Sequence, residues 1–348
     1  MSTIETGTED RSGEDRARKD RARDMQAPWL ETERRALAEA IEAGRLGHAP
    51  MLLGSAGVGK RALAEWLVRR LLCAAPVDGE PCAKCKPCTL LASGTHPDFF
   101  RLEMLEDKTE IVVDQVREFI ASLALTPSLG SRRLGLIAPA DRLNRNAANA
   151  LLKTLEEPAA NVWLILVTER EDRLPVTVVS RCQRRYIAVP DRGVALDWVG
   201  ERHPDRDRTD CRKAMELADG APLLADEWLA GAGLEEGVAI GDALGAVLAG
   251  RADEFELVEA WSRQPDATWG WLARYSHLWL RAVLAAPEPG FEPGVPIPGG
   301  PAAVGVLEHC WRQALEGRRL ATRPVRHDWL LLRWLADWRG LAGAGGVQ

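Results

Sequence analysis

The chain has 348 residues, of which 46% are hydrophobic and 28% are charged, and it carries a formal net charge of −6. This length predicts two or three compact domains, and the acidic balance argues against a protein that coats DNA by itself, which would be strongly basic. No run of about 18 apolar residues is present, and no apolar stretch follows the N-terminal charges. We therefore expect neither a membrane span nor a secretory signal, and a cytoplasmic location.

The first 24 residues are rich in charged side chains and poor in apolar ones. Such a segment cannot bury enough apolar surface to offset the entropy lost on ordering, so it is predicted to be a disordered extension. Two explanations stay open for it. It is either a genuine flexible tail or an upstream extension of a protein whose natural start is Met25.

Short apolar runs alternate with helical patterns from about residue 28 to residue 190. Buried strands are predicted at residues 51–53, 134–137, 162–167 and 186–189, with amphipathic helices between them. This alternation predicts a mainly parallel sheet covered by helices on both faces. After residue 190 the β-branched runs vanish, and helical periodicity predicts an all-helical remainder.

A glycine-rich segment between a predicted strand and a predicted helix has the spacing GxxxxGK. Its members are Gly54, Gly57, Gly59 and Lys60. Glycines let backbone N–H groups turn toward phosphate oxygens, and the lysine reaches the terminal phosphates. The next residue should be serine or threonine to hold magnesium, but it is Arg61, which offers no oxygen ligand. The sequence predicts the shape of a phosphate-binding loop with damaged metal chemistry.

ATP hydrolysis at such a loop also needs an acidic pair at the end of a neighbouring strand, to hold magnesium and orient the attacking water. The two positions after the strand predicted at residues 134–137 are Ala138 and Pro139. Asp141 lies three residues beyond Ala138 and is expected to be a solvated or capping carboxylate. The missing metal ligand and the missing acids predict a site that does not hydrolyse ATP at a useful rate.

Four cysteines lie within sixteen residues: Cys73, Cys82, Cys85 and Cys88. Four thiolates at this spacing can surround one zinc ion tetrahedrally and leave no open coordination position, which predicts a structural zinc site. Redox-active thiols are the alternative. His96, eight residues beyond Cys88, is a spare candidate ligand.

The tripeptide Ser180-Arg181-Cys182 follows a short predicted helix at residues 176–179. An arginine at a helix end near a subunit boundary can point at the ATP of a neighbouring subunit and stabilise the charge that develops on its phosphates. An ordinary surface arginine is the alternative.

Taken together, these segments resemble the clamp-loader AAA+ family, and within it the delta-prime branch. The most specific stretch is residues 149–158 (NALLKTLEEP), and residues 94–98 (GTHPD) and 28–30 (PWL) are also similar to the family. The resemblance covers about residues 27–190. Beyond them it rests on order, length and helical character.

The resemblance implies a specific domain organisation. After the extension at residues 1–24, residues 25–190 would form an AAA+ domain, which is a RecA-like parallel sheet with helices on both faces, and would carry the zinc loop at residues 73–88. A small helical lid domain is expected at residues 191–245, and an all-helical collar domain at residues 246–348.

The resemblance also implies a function: a non-hydrolysing subunit of the sliding-clamp loader of the DNA polymerase III holoenzyme, active in DNA replication. Arg181 would act in trans on the ATP of the adjacent motor subunit, while Leu223 stands where motor subunits carry a nucleotide-sensing arginine. The implied partners are gamma/tau-like motor subunits and a delta-like subunit in a hetero-pentamer. The chain would contact the sliding clamp and primed DNA through this complex, and no membrane partner is expected.

Three other possibilities stay open. An active motor ATPase of the same family would need the loop at Lys60 to work despite Arg61 and Pro139. Because Lys60 and the loop glycines remain, ATP binding without turnover is a second possibility. A zinc-containing DNA-binding module is the third, and it would contact duplex phosphates through a modest basic cluster made of Arg132, Arg133, Arg142 and Arg145.

Overall fold

The computed structural model describes residues 23–105, 108–159, 161–284, 301–321 and 323–344. The chain divides into two compact units, Met1–Trp198 with Ala221–Leu224 and Val199–Gly220 with Ala225–Gln348. Residues 1–22 of the predicted disordered extension lie outside the described residues. The division into an AAA+ domain, a lid and a collar stays a prediction.

Five strands form the sheet of the first unit. They are β1 (Pro50–Leu53), β2 (Phe99–Leu102), β3 (Arg133–Ile137), β4 (Val162–Thr168) and β5 (Gln183–Tyr186). Their order across the sheet is β2-β3-β4-β1-β5, and every neighbouring pair is parallel. The prediction of a mainly parallel sheet is confirmed.

The same part of the chain contains α-helices with described bounds. They are α1 (Glu31–Glu42), α2 (Lys60–Leu72), α3 (Lys86–Ala92), α4 (Val113–Leu123), α5 (Arg145–Glu156), α6 (Val176–Val179) and α7 (Arg192–Arg202), the last of which crosses into the second unit.

One face of the sheet packs against α4, α5 and α6. Met51, Leu164 and Leu166 point to this face and belong to one buried cluster with Phe119 of α4 and Leu151 of α5. Successive side chains of a strand point to opposite faces, so Leu52 and Ile165 face the other side, where α2 contacts β1 and β4. The predicted helical cover on both faces is therefore confirmed.

Helix α5 shows how the sequence sets the bounds of these helices. The side-chain oxygen of Asn144 accepts a hydrogen bond from the N–H of Ala147 at 2.9 Å and so caps the first turn. Leu151 and Leu155 recur at helical spacing and are buried. The helix ends two residues before Pro158, because the residue preceding a proline disfavours helical backbone.

The strand predicted at residues 186–189 is displaced, because β5 runs from Gln183 to Tyr186. Three of its four residues are exposed and its composition is polar, as suits a strand at the edge of a sheet. The apolar run that suggested a strand follows β5, and Ile187 of that run is buried. The apolar run therefore predicted a strand in the segment that follows β5, and the polar edge strand itself was missed.

All regular structure described in the second unit is helical. Its helices are α8 (Arg208–Leu217), α9 (Pro222–Ala230), α10 (Gly233–Leu248), α11 (Glu254–Trp261), α12 (Pro265–Leu284), α13 (Pro301–Leu320) and α14 (His327–Ala344), of which α9 begins in the first unit. Trp334 and Trp338 are fully buried and stack with their ring centroids 5.0 Å apart. Among the described residues, no helix is both long enough and apolar enough to cross a bilayer.

Gly135 in β3 provides a test of this packing. A Cβ at this position would lie 2.4 Å from the Phe119 ring and 2.9 Å from the Leu123 side chain. We predict that Gly135→Ala lowers the free energy of unfolding by about 1–3 kcal/mol through overpacking. Urea unfolding measures this change.

The matched control is Gly130→Ala, because a Cβ at Gly130 would have no atom within 4 Å. That variant should change the free energy of unfolding by less than about 0.5 kcal/mol. Equal unfolding midpoints for the two variants would contradict the packing described for β3.

Candidate functional site

The glycine-rich loop joins β1 to α2 and has the predicted shape. Gly54, Gly57 and Gly59 all adopt positive φ, at 151°, 75° and 100°. Glycine is required at the second position for a further reason, since a Cβ there would lie 2.5 Å from the Cβ of Leu224. This backbone turns sharply into the N-terminus of α2, as a phosphate-binding loop does.

The lysine of the loop is turned back onto its own chain. Lys60 is buried, and its Nζ donates a hydrogen bond to the backbone oxygen of Ser55. The same Nζ lies 4.0 Å from a carboxylate oxygen of Glu169. Burial lowers the pKa of the Lys60 amine, against the opposing effect of Glu169 and Asp141. A phosphate would have to displace both contacts to gain this lysine.

Arg61 fills the place where metal chemistry would be expected. Its Nη2 donates to the backbone oxygen of Ala138 at 3.0 Å and to Glu103 at 3.2 Å. Ala138 directly follows β3, so the guanidinium lies at the strand end that would carry the acidic pair. A fixed positive charge there opposes the approach of a divalent cation.

The remaining acidic candidate has a structural contact. Oδ1 of Asp141 accepts hydrogen bonds from the Thr168 hydroxyl at 3.0 Å and from the Glu169 N–H at 3.3 Å. Asp141 therefore holds the end of β4, whereas the sequence predicted a carboxylate that was solvated or capping. Its Oδ1 is already occupied at the point where a catalytic acid would hold magnesium or water.

The first turn of α9 closes over the tip of the loop. The N–H of Leu223 donates to the backbone oxygen of Gly57 at 3.0 Å. Leu223 is the residue at the position where the resemblance expected an arginine in motor subunits. The side chain at this position is apolar, and its backbone N–H contacts the loop.

A cavity of about 470 Å³ opens beside the loop. Its lining includes the carboxylates of Glu169, Glu171 and Asp172. Arg170 pairs with Asp172 at 2.7 Å, and Arg184 pairs with Glu171 at 3.5 Å. Because carboxylates already neutralise these two arginines, the cavity is electrostatically unfavourable for a polyphosphate.

The four predicted metal ligands come together. The sulfur atoms of Cys73, Cys82, Cys85 and Cys88 all lie within 4.8 Å of one another, and the first and third are 3.9 Å apart. Sulfurs around a tetrahedral metal at about 2.3 Å are about 3.8 Å apart, so this cluster fits a metal ion. His96 stays outside it, because its Nδ1 accepts a hydrogen bond from the N–H of Asp98 at 3.1 Å.

The backbone around the cysteines is shaped for sulfur ligands. The N–H of Cys82 donates to Sγ of Cys73 at 3.3 Å, and the N–H of Cys85 donates to Sγ of Cys82 at 3.4 Å. Backbone N–H groups of Lys84 and Cys85 lower the pKa of Cys82 to about 6. Between the cysteines, Ala83 holds a left-handed φ of 57°, which a residue with a side chain adopts only when the surroundings require it.

Residues 94–98, which the sequence likened to a known family, end in the buried acid Asp98. Its carboxylate is fully buried and accepts the N–H groups of Ser128 and Leu129, each at 2.7 Å. Nε of Arg133 lies 3.4 Å from the same carboxylate. This buried acid ties the segment before β2 to the loop before β3, a structural role that the sequence analysis did not foresee.

Arg181 follows α6 and precedes β5. Its Nη1 donates to the backbone oxygen of Thr177 at 2.8 Å, and its Nη2 lies 2.6 Å from a carboxylate oxygen of Glu156. The Arg181 side chain is 35% exposed. The guanidinium is thus held against the first unit while part of it stays open to solvent.

Arg181 and the phosphate loop lie at opposite edges of the sheet, Arg181 at the amino ends of the strands and the loop at their carboxyl ends. Gln183 at the start of β5 pairs with Pro50 at the start of the parallel strand β1, whereas the loop follows Leu53 at the end of β1. The length of β1 separates the two edges by about 10 Å. Parallel pairing therefore places this arginine at the end of the strands that lies away from the phosphate loop of its own chain.

Sequence similarity to known proteins identifies the family of this chain. A model of the family described as DNA polymerase III, delta subunit, matches residues 30–190. The chain is 38% identical over 268 residues to the DNA polymerase III subunit delta' of Pseudomonas aeruginosa, a match that covers 76% of this chain and 79% of that relative. The chain belongs to the family of DNA polymerase III delta' subunits.

Further similarities accompany this delta' assignment. The delta' subunit of Escherichia coli is 36% identical over 209 residues, which are 58% of this chain and 62% of that protein. A solved structure of a DNA polymerase III gamma subunit-related protein from Thermotoga maritima is 17% identical, with a TM-score of 0.41, and the match covers 90% of this chain and 99% of that one. The assignment rests on the sequence similarity to the delta' subunits.

Two contacts of this delta' chain escaped the sequence analysis. The bond from Arg61 to the backbone of Ala138 joins residues 77 positions apart, and no local pattern signals it. The pairing of Arg181 with Glu156 was equally invisible, because an acid at a helix end is normally solvated. Only the position of Glu156 in the family-like stretch 149–158 distinguished it from other surface acids.

The cysteine cluster of the delta' chain generates a prediction about metal content. Cys85→Ser removes one of the four ligands, so we expect it to abolish stoichiometric metal binding and to lower the midpoint of thermal unfolding. Metal analysis of the purified full chain by plasma mass spectrometry, together with a melting curve, measures both effects.

Cys211→Ser is the control, because Cys211 is buried in α8 outside the cluster. This variant loses packing but should keep the bound metal. Equal metal content in wild type and Cys85→Ser would contradict the assignment of these cysteines as ligands.

Proposed function

We propose that this delta' chain is a non-hydrolysing subunit of a sliding-clamp loader that supplies Arg181 to the ATP site of an adjacent motor subunit. The position of Arg181 at the sheet edge opposite its own phosphate loop carries the proposal. An arginine directed away from its own loop can act on the phosphates of a neighbour. There it would stabilise the negative charge of the transition state.

The second support is the state of the chain's own phosphate loop. Hydrolysis needs a magnesium ligand after the lysine and carboxylates at the end of β3, and these positions are Arg61, Ala138 and Pro139. Lys60 is engaged by Ser55 and lies near Glu169. We infer that the loop formed by Gly54, Gly57, Gly59 and Lys60 is vestigial and does not turn over ATP.

The partners follow from the family. The chain would join gamma/tau-like motor subunits and a delta-like subunit in a hetero-pentamer that places the sliding clamp on primed DNA for the replicative polymerase. In this proposal the helices after residue 246 form the collar that joins the subunits, and residues 191–245 form the lid. This role places the protein in the cytoplasm with the replicating chromosome.

The metal of the cysteine cluster would be zinc, because four thiolates in a tetrahedral arrangement suit that ion and leave no position for a reacting water. Its role would be structural. Trp66 donates to Glu80 at 2.7 Å, and Arg70 donates to the backbone of Gly79 at 2.8 Å. The segment that carries the cysteines is thus anchored on α2, and the metal would complete its fold.

ATP hydrolysis with and without a motor subunit tests the proposal. The isolated chain should show no magnesium-dependent turnover. In the reconstituted loader with clamp and primed DNA, we expect Arg181→Ala to lower turnover at the site it serves by about 10³-fold. The total ATP turnover of the complex should therefore fall by the fraction that the site served by Arg181 contributes.

Arg117→Ala is the matched control, because Arg117 is a 70% exposed arginine paired with Asp114 on α4. It should leave both assembly and turnover unchanged. Wild-type rates in an assembled complex that carries Arg181→Ala would refute the role in trans. Clear turnover by the isolated chain, lost in Lys60→Ala, would instead establish an active motor.

A further inference from the structure

Arg181 is restrained by three acceptors from two different elements. Its Nη1 donates to the backbone oxygen of Thr177 at 2.8 Å and to the hydroxyl of Ser180 at 3.4 Å. Its Nη2 meets Oε1 of Glu156 at 2.6 Å. The first two contacts fix one end of the guanidinium to α6 and the residue that caps it, and the third fixes its other end to α5.

The two helices that carry this pair share one core. Leu151 and Leu155 of α5 and Val178 of α6 are buried in the same cluster beneath the sheet. Glu156 is the last residue of α5, and Arg181 lies two residues beyond α6. Packing that fixes the helices therefore also fixes the distance between the carboxylate and the guanidinium.

The restraint leaves the arginine able to donate. Among the described residues, Nε–H of Arg181 has no hydrogen-bond acceptor, and the side chain is 35% exposed. A guanidinium has five N–H donors in one plane, so donors beyond those that meet Thr177, Ser180 and Glu156 stay available to a ligand. Orienting a donor before the substrate arrives removes an ordering cost from the reaction.

We propose that Glu156 is a positioning residue that holds the Arg181 guanidinium in the orientation in which it meets a neighbour's terminal phosphate. This inference rests on the proposed role of Arg181 in trans and adds the residue that preorganises it. Glu156 acts through Arg181 and touches no reacting atom. It stays paired while the Nε edge of the arginine donates to the phosphate.

If Glu156 sequestered Arg181 and did not orient it, removing Glu156 would change turnover in the opposite direction. A carboxylate that sequestered Arg181 would have to be displaced by the phosphate, and its removal would raise turnover. A carboxylate that orients Arg181 lowers turnover when it is lost. Since partly exposed ion pairs contribute modestly, the expected loss for Glu156→Gln is about two- to fivefold in maximal turnover at the served site.

The test uses the full chain in the reconstituted loader with motor subunits, clamp and primed DNA. Glu156→Gln should lower kcat and leave the KM for ATP and complex assembly unchanged, because the motor's own site binds the nucleotide. In an Arg181→Ala background, the same substitution should have no further effect. Glu157→Gln is the matched control, since Glu157 is the next exposed acid and has no ion pair among the described residues. It should behave as wild type.

A second readout needs no partner. In the full chain labelled with ¹⁵N-arginine, the Nε–Hε resonance of Arg181 is identified by its loss in Arg181→Lys. Glu156→Gln should shift this resonance and increase its fast motion, whereas Glu157→Gln should leave both unchanged.

The outcomes separate the two proposals. A loss of turnover in Arg181→Ala but not in Glu156→Gln overturns the positioning role of Glu156 and leaves the role of Arg181 in trans standing. Higher turnover in Glu156→Gln also overturns the positioning role. If Arg181→Ala has no effect, the role in trans fails. In that case the Nε–Hε resonance of Arg181 still reports whether Glu156 orients the guanidinium. If this resonance is unchanged in Glu156→Gln, Glu156 does not orient Arg181.

Discussion

Parallel pairing of β3, β4, β1 and β5 fixes where each functional segment of the first unit can lie. The carboxyl ends of parallel strands meet at one edge of the sheet, and their amino ends meet at the other. The phosphate loop, Ala138 and Thr168 consequently lie together, while Arg181 precedes β5 at the opposite edge. This topology separates the phosphate loop from Arg181, the residue that we propose acts on another subunit.

The glycine-rich loop has the backbone shape of a phosphate-binding loop, and the charged groups around it bond to one another. Positive φ angles at the loop glycines preserve the turn, but the groups around it now satisfy one another. Lys60 bonds to its own loop, Arg61 bonds to the end of β3, and Asp141 holds the end of β4. The charged groups nearest the loop are therefore engaged in contacts within the chain.

Local patterns predicted a large part of this structure. The GxxxxGK spacing predicted the loop, cysteine spacing predicted the cluster, and apolar runs predicted β1, β3 and β4. Residues whose roles depend on distant partners could not be found in this way. Asp98 binds backbone groups thirty positions away, and Arg61 reaches a carbonyl 77 positions away. Such pairings depend on how the elements pack and leave no periodic signal in the sequence.

The proposed role of Arg181 is to serve a neighbour's ATP. The most direct test is a cryo-electron microscopy structure of the reconstituted loader with a non-hydrolysable ATP analogue, clamp and primed DNA. We expect the Arg181 guanidinium to lie within hydrogen-bond distance of the terminal phosphate in the adjacent motor subunit, with Glu156 still beside it. An assembled, nucleotide-filled complex in which Arg181 contacts no phosphate would refute this role in trans.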